Sequence, residues 1–209
     1  MNVALIVLAK APLPGMAKTR LAKMVGDDAA AGLARQLLVH TLATARDSGL
    51  PATLCGSPAR HPLLIELADQ AALSLTAQVD GDLGQRLAAA IGQALLTHDA
   101  VLVIGSDCPA LTAQHLQAAA RQLEHHDAVF YPALDGGYTL IGVRQNPTGL
   151  FQAMPWSTRE VMPETRRRMA ALGWRIWSGE MLADIDGVDD LIHLPNHWLR
   201  PLPLAELGT

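Results

Sequence analysis

The sequence predicts an α/β fold, a sheet of mostly buried strands with helices packed on its faces, and three observations predict it. Short apolar runs alternate with longer amphipathic ones along most of the chain, as when strands and helices take turns. Ala100-Val-Leu-Val-Ile-Gly105 is a continuous apolar run, the pattern of a strand covered on both faces and therefore placed near the sheet centre. The 209 residues, 50% apolar and 17% charged, supply core enough for one well-packed domain and argue against disorder.

Taken in order, Met1 to Ala9 reads as a short buried strand, and Lys10 to Arg20 as a loop. Asp27-Asp28 opens a helix through Asp47, ending near Gly49. Pro51 to Gly56 is a second strand, Pro62 starts a helix, and Leu73 to Val79 is a third strand. Asp80 to Arg86, with two glycines, reads as a loop entering helix Leu87 to Thr97. After the Ala100 strand, Thr112 caps a helix through Leu123, Asp127 to Pro132 is a strand, and the Gly136-Gly137 turn leads into Thr139 to Val143. Ser157-Thr-Arg-Glu160 has the capping-box pattern, opening a helix that stops at Gly173. Trp174 to Trp177 reads as a strand, Leu182 to Asp186 as a short polar-ended segment, and Asp189 to Leu194 as a brief helix ended by Pro195. The domain is expected to span residues 1–194, with a Pro-rich extension over 195–209.

A net charge of −4 and a pI near 6.0 argue against a general nucleic-acid or anionic-membrane surface, so any positive site is local. No run reaches the length of a membrane span, and Met1 to Ala9 lacks the cationic start of a signal peptide, which predicts a cytoplasmic protein. Cys55 and Cys108, far apart in a chain with ample core, are expected to be reduced.

The chemistry gathers in Lys10-Ala-Pro-Leu-Pro-Gly-Met-Ala-Lys-Thr-Arg20, where three cations surround one glycine and two prolines directly after a strand. Pro12 and Pro14 stiffen the backbone, and Gly15 permits the curl that an anion-binding loop needs. Lys10, Lys18 and Arg20 supply charge-assisted hydrogen bonds to phosphate; a solvated surface turn is the alternative reading. Ser106-Asp107-Cys108-Pro109 follows the central strand, so both stretches fall at the carboxyl edge of the sheet, where such folds bind ligands. Asp107 is then the first candidate ligand for a hard, oxygen-seeking cation such as Mg²⁺, with a plain helix cap as its other use. Asp186, or its neighbour Asp184, is the second.

The residues from Ala9 to Leu21, together with Gly81-Asp-Leu-Gly-Gln-Arg86, Ile104-Gly-Ser-Asp-Cys-Pro109, Asp135-Gly-Gly-Tyr-Thr-Leu-Ile-Gly142 and Trp156-Ser-Thr158, carry a resemblance. They resemble a bacterial glycosyltransferase family once known only as a domain of unknown function. That family is grouped with nucleotide-diphospho-sugar transferases and includes arsenosugar-biosynthesis members. The resemblance runs from about Val3 to Leu191, with the motifs in order. It implies a single GT-A-like, Rossmann-like three-layer α/β/α sandwich with a mostly parallel central sheet. It further implies nucleotide contacts from Ala9, Lys10, Ala11, Pro12, Gly15, Lys18, Asp82, Arg86 and Ser106, and metal ligation by Asp107 and Asp186. Lys18, Arg20 and Asp107 become the catalytic set, and Asp135, Gly136, Gly137, Tyr138 and Trp156 the acceptor side. The family's late run reads Asp-Ile-Asp-Thr-Pro-Glu-Asp-Leu; here Gly187-Val188 replaces Thr-Pro and loosens the turn after Asp186.

The expected activity is metal-dependent glycosyl transfer from a nucleotide-diphosphate sugar to a small-molecule acceptor. Nucleotidyl transfer from an NTP to a phosphorylated acceptor, with release of pyrophosphate, is the alternative that the three loop cations favour. A non-catalytic nucleotide-binding module is the third, resting on Gly187-Val188. Whether Mg²⁺ or Mn²⁺ is used stays open, since oxygen ligands accept both. Oligomeric state stays open too, with a homodimer as the one candidate. Trp156 either covers a ligand's ring or anchors the helix after it. Arg166-Arg167-Arg168 reads as a solvated helix face, Cys108 as a packed thiol, and Pro195 keeps His193 and His197 from sharing a helix as a metal-ligand pair.

Overall fold

The apolar start of the chain forms β1 (Val3–Lys10), which pairs in parallel with strands on both sides and is buried along nearly its whole length. The computed structural model describes residues 1–146 and 149–199, so the expected extension lies outside it from residue 200 onward. The remaining strands are β2 (Ala52–Ser57), β3 (Ser74–Ala77), β4 (Ala100–Ile104), β5 (Ala128–Pro132), β6 (Tyr138–Val143) and β7 (Ile176–Ser178). They form one seven-stranded sheet in the order β3-β2-β1-β4-β6-β5-β7. Every pairing is parallel except the two made by β6, which runs antiparallel to β4 and β5. β4 has all five residues buried and lies mid-sheet, as its unbroken apolar run demands.

Among the described residues seven α-helices, α1 (Thr19–Val25), α2 (Asp27–Asp47), α3 (Pro62–Ala71), α4 (Leu83–Ala94), α5 (Ala113–Gln122), α6 (Val161–Ala171) and α7 (Asn196–Leu199), and a short 3-10 helix (Asp189–His193) complete the fold. Alternate strand residues point to opposite faces and so build two cores. Leu5, Leu102 and Leu140 pack with Leu38 of α2, Leu64 of α3 and Leu116 of α5. Val101, Val103 and Ile141 pack with Ile91 of α4 and Met169 of α6. The expected three-layer α/β/α sandwich is therefore present. A third core, off the sheet, joins α1 and α2 to the segment from Ile185 to Trp198.

Three local expectations are corrected. Thr19 and Arg20, read as the end of the loop, open a helix instead, Thr19–Val25, separated from α2 only by Gly26 at φ +84°. α4 begins at Leu83 rather than Leu87, because Asp82 and Gln85 make a reciprocal capping box and draw the supposed loop into the first turn. The Ser157–Glu160 box does not form. Ser157 sits at φ +63°, Thr158 Oγ1 instead accepts from Glu160 N, and the helix starts at Val161 with no side-chain cap. Gly173, at φ +72°, ends it as predicted.

The strand order places the ligand edge. From β1 the chain winds outward through β2 and β3, then crosses back to lay β4 on the other side of β1. The loops that leave β1 and β4 part at this reversal and open a crevice between them.

Candidate active site

Lys10 to Lys18 leave β1 on one side of that crevice, and Gly105 to Asp107 leave β4 on the other. The loop is held by its own backbone: Leu13 N donates to Ala11 O, and Met16 N and Ala17 N both donate to Leu13 O. Gly15 turns it at φ +72°. Lys18 is also left-handed, at φ +48°, immediately before α1. A residue with a Cβ is uncommon in that region, and such backbone strain concentrates at functional positions.

The strained turn aims Lys18 inward. Its side chain is 11% exposed, and Nζ lies 3.3 Å from Asp107 Oδ2. Gly105 leaves room for this carboxylate, since a Cβ there would stand 2.8 Å from Asp107 Oδ1. Arg20, one residue into α1, reaches Asp186 Oδ2 at 2.8 Å. Each catalytic candidate among the loop cations thus meets one of the two predicted metal ligands.

The late acidic segment is tied to the end of β4 by its backbone, with Ile185 N donating to Asp107 O at 2.9 Å. Ile185 is fully buried, while Asp184 and Asp186 line the crevice. The loosened Gly187-Val188 turn is held by Asp190, whose Oδ2 accepts from Asp186 N at 2.9 Å and Gly187 N at 2.7 Å. Burial first, then the charges of Asp135 and Asp107, raise the Asp184 carboxyl to about 6. Negative charge is therefore concentrated in a poorly solvated place.

A cavity of about 460 Å³ opens here, with Lys10, Pro12, Lys18, Ser106, Asp107 and the two late acids on one wall. Leu8, Leu83, Leu87, Val103, Ile141 and Tyr138 supply its apolar lining. A second hollow of about 400 Å³ adjoins it between Ala9, Lys10, Gln78, Asp82 and Arg86. Gln78 Nε2 donates to Ala9 O at 2.9 Å and Cys55 O at 2.8 Å, and Arg86 Nη1 lies 3.4 Å from Gln78 Oε1. Arg86 Nε is buried without a partner among the described residues. Ala9 and Ala11 contribute backbone to this edge, their side chains being buried.

The acceptor set is only partly assembled. Tyr138 lines the main cavity, but its hydroxyl is buried, which pushes its ionisation well above the ordinary tyrosine value. Asp135, Gly136, Gly137 and Trp156 are not on the cavity wall. Asp135 caps its own turn, with Oδ1 accepting from Gly137 N, and Gly136 packs so close to the Arg159 backbone that a Cβ would stand 2.5 Å from Arg159 Cα. Trp156 packs against Phe151 in the second core, ring centres 6.2 Å apart, with its indole Nε1 buried and without a partner among the described residues. Cys108 is buried and its thiol is raised to about 11, chiefly by burial, which makes it a packed residue rather than a nucleophile. Arg167 and Arg168 pair with Glu164, and His193 and His197 fall in separate short helices.

Asp190 and Gln78 are among the residues of the site that escaped the sequence reading. Asp190 could have been found from its position three residues after Gly187, where a carboxylate can cap a turn. Gln78 has no local signal, since its partners Ala9 and Cys55 come from two other strands.

Comparison with known proteins agrees with this fold. The family model described as "Uncharacterized protein conserved in bacteria (DUF2064)" matches residues 39–158. A crystal structure from Desulfovibrio desulfuricans G20, described as a "putative nucleotide-diphospho-sugar transferase", is 28% identical with a TM-score of 0.85, over 97% of this chain and 91% of that one. A nucleotidyl transferase from Methanothermobacter is 17% identical at a TM-score of 0.63, over 96% and 99% of the two chains. The 4-diphosphocytidyl-2C-methyl-D-erythritol synthase of Anaerococcus prevotii is 10% identical at 0.63, over 95% and 98%, and both bear on the fold alone. No protein of curated function matches the sequence. The architecture is a transferase fold.

Proposed function

The chain belongs to the DUF2064 family, and from that premise we propose that it is a metal-dependent transferase that takes a nucleotide-diphosphate sugar as donor and passes the sugar to a small-molecule acceptor. The observation that carries this reading is the double pairing of Lys18 with Asp107 and Arg20 with Asp186 across one crevice. Two cations of a phosphate-type loop and two carboxylates at the same edge suit a diphosphate that arrives with a divalent ion.

The donor set supports a metal. Asp107 and Asp186 offer hard oxygen ligands, and the crowding that raises Asp184 is what a dication relieves. Among the described residues no three His, Cys, Asp or Glu side chains form a ready cage, so phosphate oxygens and water would complete the shell. When bound, the ion supplies Lewis-acid stabilisation to a diphosphate leaving group.

The chain's own residues do the remainder. Lys10 and Lys18 face the phosphates, and Arg20 closes the same anion from α1, so that charge developing on the leaving oxygens meets fixed cations. Arg86 and Gln78 flank the adjoining hollow, where the nucleoside is placed in this reading. The apolar lining from Leu83 to Ile141 keeps water from the sugar-phosphate bond.

Nucleotidyl transfer is the second reading, favoured by the third loop cation, Lys10, because a triphosphate needs more positive charge than a diphosphate. A thermal-shift panel of NTPs, nucleoside diphosphates and nucleotide sugars, each with Mg²⁺, Mn²⁺ or EDTA, separates them. A metal-dependent rise with a nucleotide sugar supports glycosyl transfer. A rise with an NTP and none with nucleotide sugars replaces it with nucleotidyl transfer, and no response to any nucleotide removes both.

A further inference from the structure

The third core lies behind the crevice rather than under the sheet. It collects Leu21 and Val25 of α1, Leu33 and Leu37 of α2, and Ile185, Leu191, Leu194 and Trp198 of the late chain. Leu21 follows Arg20, and Ile185 stands between Asp184 and Asp186. One apolar cluster thus backs both the cationic and the acidic walls.

Trp198 has a second contact that leads to the remaining wall. Its ring meets His40 of α2 edge-on, with centroids 5.3 Å apart and planes at 80°. His40 Nε2 lies 3.1 Å from the carbonyl oxygen of Pro109. Because a carbonyl only accepts, Nε2 carries the proton and donates. Pro109 is two residues beyond Asp107, and the carbonyl of Asp107 itself receives Ile185 N. The loop bearing Asp107 is therefore gripped at two backbone carbonyls, one from α2 and one from the late chain; Trp198 meets the ring of His40 and shares the third core with Ile185.

We propose that His40 is a positioning residue for Asp107, and that Trp198 on α7 acts as the strut that holds it in place. The loop from Ser106 to Pro109 has no secondary structure of its own to fix the carboxylate. A strut from outside the sheet supplies that constraint, and it couples Asp107 to the Asp184–Asp186 segment so that the two acids share one frame. This rests on the crevice being the reactive site, but the strut itself is testable without any ligand.

The test is hydrogen exchange on the full chain and on His40→Ala, His40→Gln and Trp198→Ala, with the amides of β1 and β4 as internal reference. The Ile185 and Leu111 amides, which donate to the Asp107 and Cys108 carbonyls, exchange about tenfold faster in His40→Ala and Trp198→Ala, while β1 and β4 keep their rates. His40→Gln, whose side-chain amide can still donate to Pro109, recovers most of the protection. Unchanged exchange at the Ile185 and Leu111 amides in both alanine variants overturns the proposal, as does an equal rise across β1 and β4, which means a global loss of stability. Failure of His40→Gln to recover protection overturns the role of the Pro109 bond. A second arm measures metal-dependent nucleotide stabilisation, expected to need about tenfold more nucleotide in His40→Ala. Should the unaltered chain respond to no nucleotide, the function assigned to the crevice falls while the exchange result still decides the strut.

Discussion

Lys18 Nζ stands 3.3 Å from Asp107 Oδ2 although 89 residues separate the two in sequence. The lysine is nearly buried and left-handed, so its backbone is strained into the one pose that reaches this carboxylate. Lys18→Ala is expected to weaken nucleotide binding about 10- to 100-fold, the worth of a lost charge-assisted hydrogen bond. Isothermal titration with the nucleotide found by the thermal-shift panel reads this directly. Unaltered affinity would remove Lys18 from the donor site.

Chelation supplies the next expectation. With no three-ligand cage among the described residues, ion and nucleotide should stabilise the fold together and poorly apart. EDTA is expected to abolish the nucleotide-dependent rise in Tm, and Asp186→Asn to raise the ion concentration needed for half of it. A rise that persists in EDTA would mean that Lys10, Lys18 and Arg20 bind the anion unaided.

Some of this was legible in the sequence, and the reasons are physical. β4 and Asp107 could be read because a run buried on both faces is apolar throughout and ends where the chain meets solvent. The start of α4 was there in Asp82 and Gln85, hidden by two glycines that resemble a loop. The order of β6 between β4 and β5 left no trace, because pairing partners are chosen across the fold and not along it. The same holds for Trp156, which packs on Phe151, and for the Ile185 bond that brings the late acids home.

β6 carries a tight spot that such pairing creates. A Cβ on Gly142 would stand 2.4 Å from Leu102 Cδ2 and 2.6 Å from Val129 Cγ2, both fully buried side chains of the flanking strands. Gly142→Ala is expected to cost about 1–3 kcal/mol through overpacking, measured as a lower urea midpoint with an unchanged slope. A midpoint equal to that of the unaltered chain would mean the sheet opens there without cost.

On α6, Glu164 accepts from Arg167 Nε and Nη2 at 2.7 Å each and from Arg168 Nε at 2.6 Å. The Arg167 bond first, and the Arg168 bond next, hold its carboxyl down from 4.5 to about 2. A depressed carboxylate stabilises the fold while ionised, so its contribution is fully present above about pH 4.5 and is lost as the pH falls toward 2. Glu164→Gln should therefore lower Tm at pH 7, with the gap to the unaltered chain closing below pH 4.5. A gap that stays constant down to pH 2 would show that the ion pairs contribute nothing.

Both thiols are sealed: Cys55 and Cys108 are buried, and burial raises each above its ordinary value. Iodoacetamide at pH 8 is expected to leave the native chain unmodified over an hour and to label both residues once it is unfolded. Rapid native labelling of Cys108 would reopen it as a reactive group.

The crevice is stitched from three distant stretches, with residues 10–20 facing residue 107 across paired β1 and β4, and both waiting on residues 184–186. During synthesis the cationic loop is made first, Asp107 follows, and residues 184–186 come last of the three. Contacts of such long sequence separation form slowly, because loop closure must precede any reward. No local fragment of this protein therefore holds a rudimentary version of the site, and competence arrives in one step, when the last acidic segment docks.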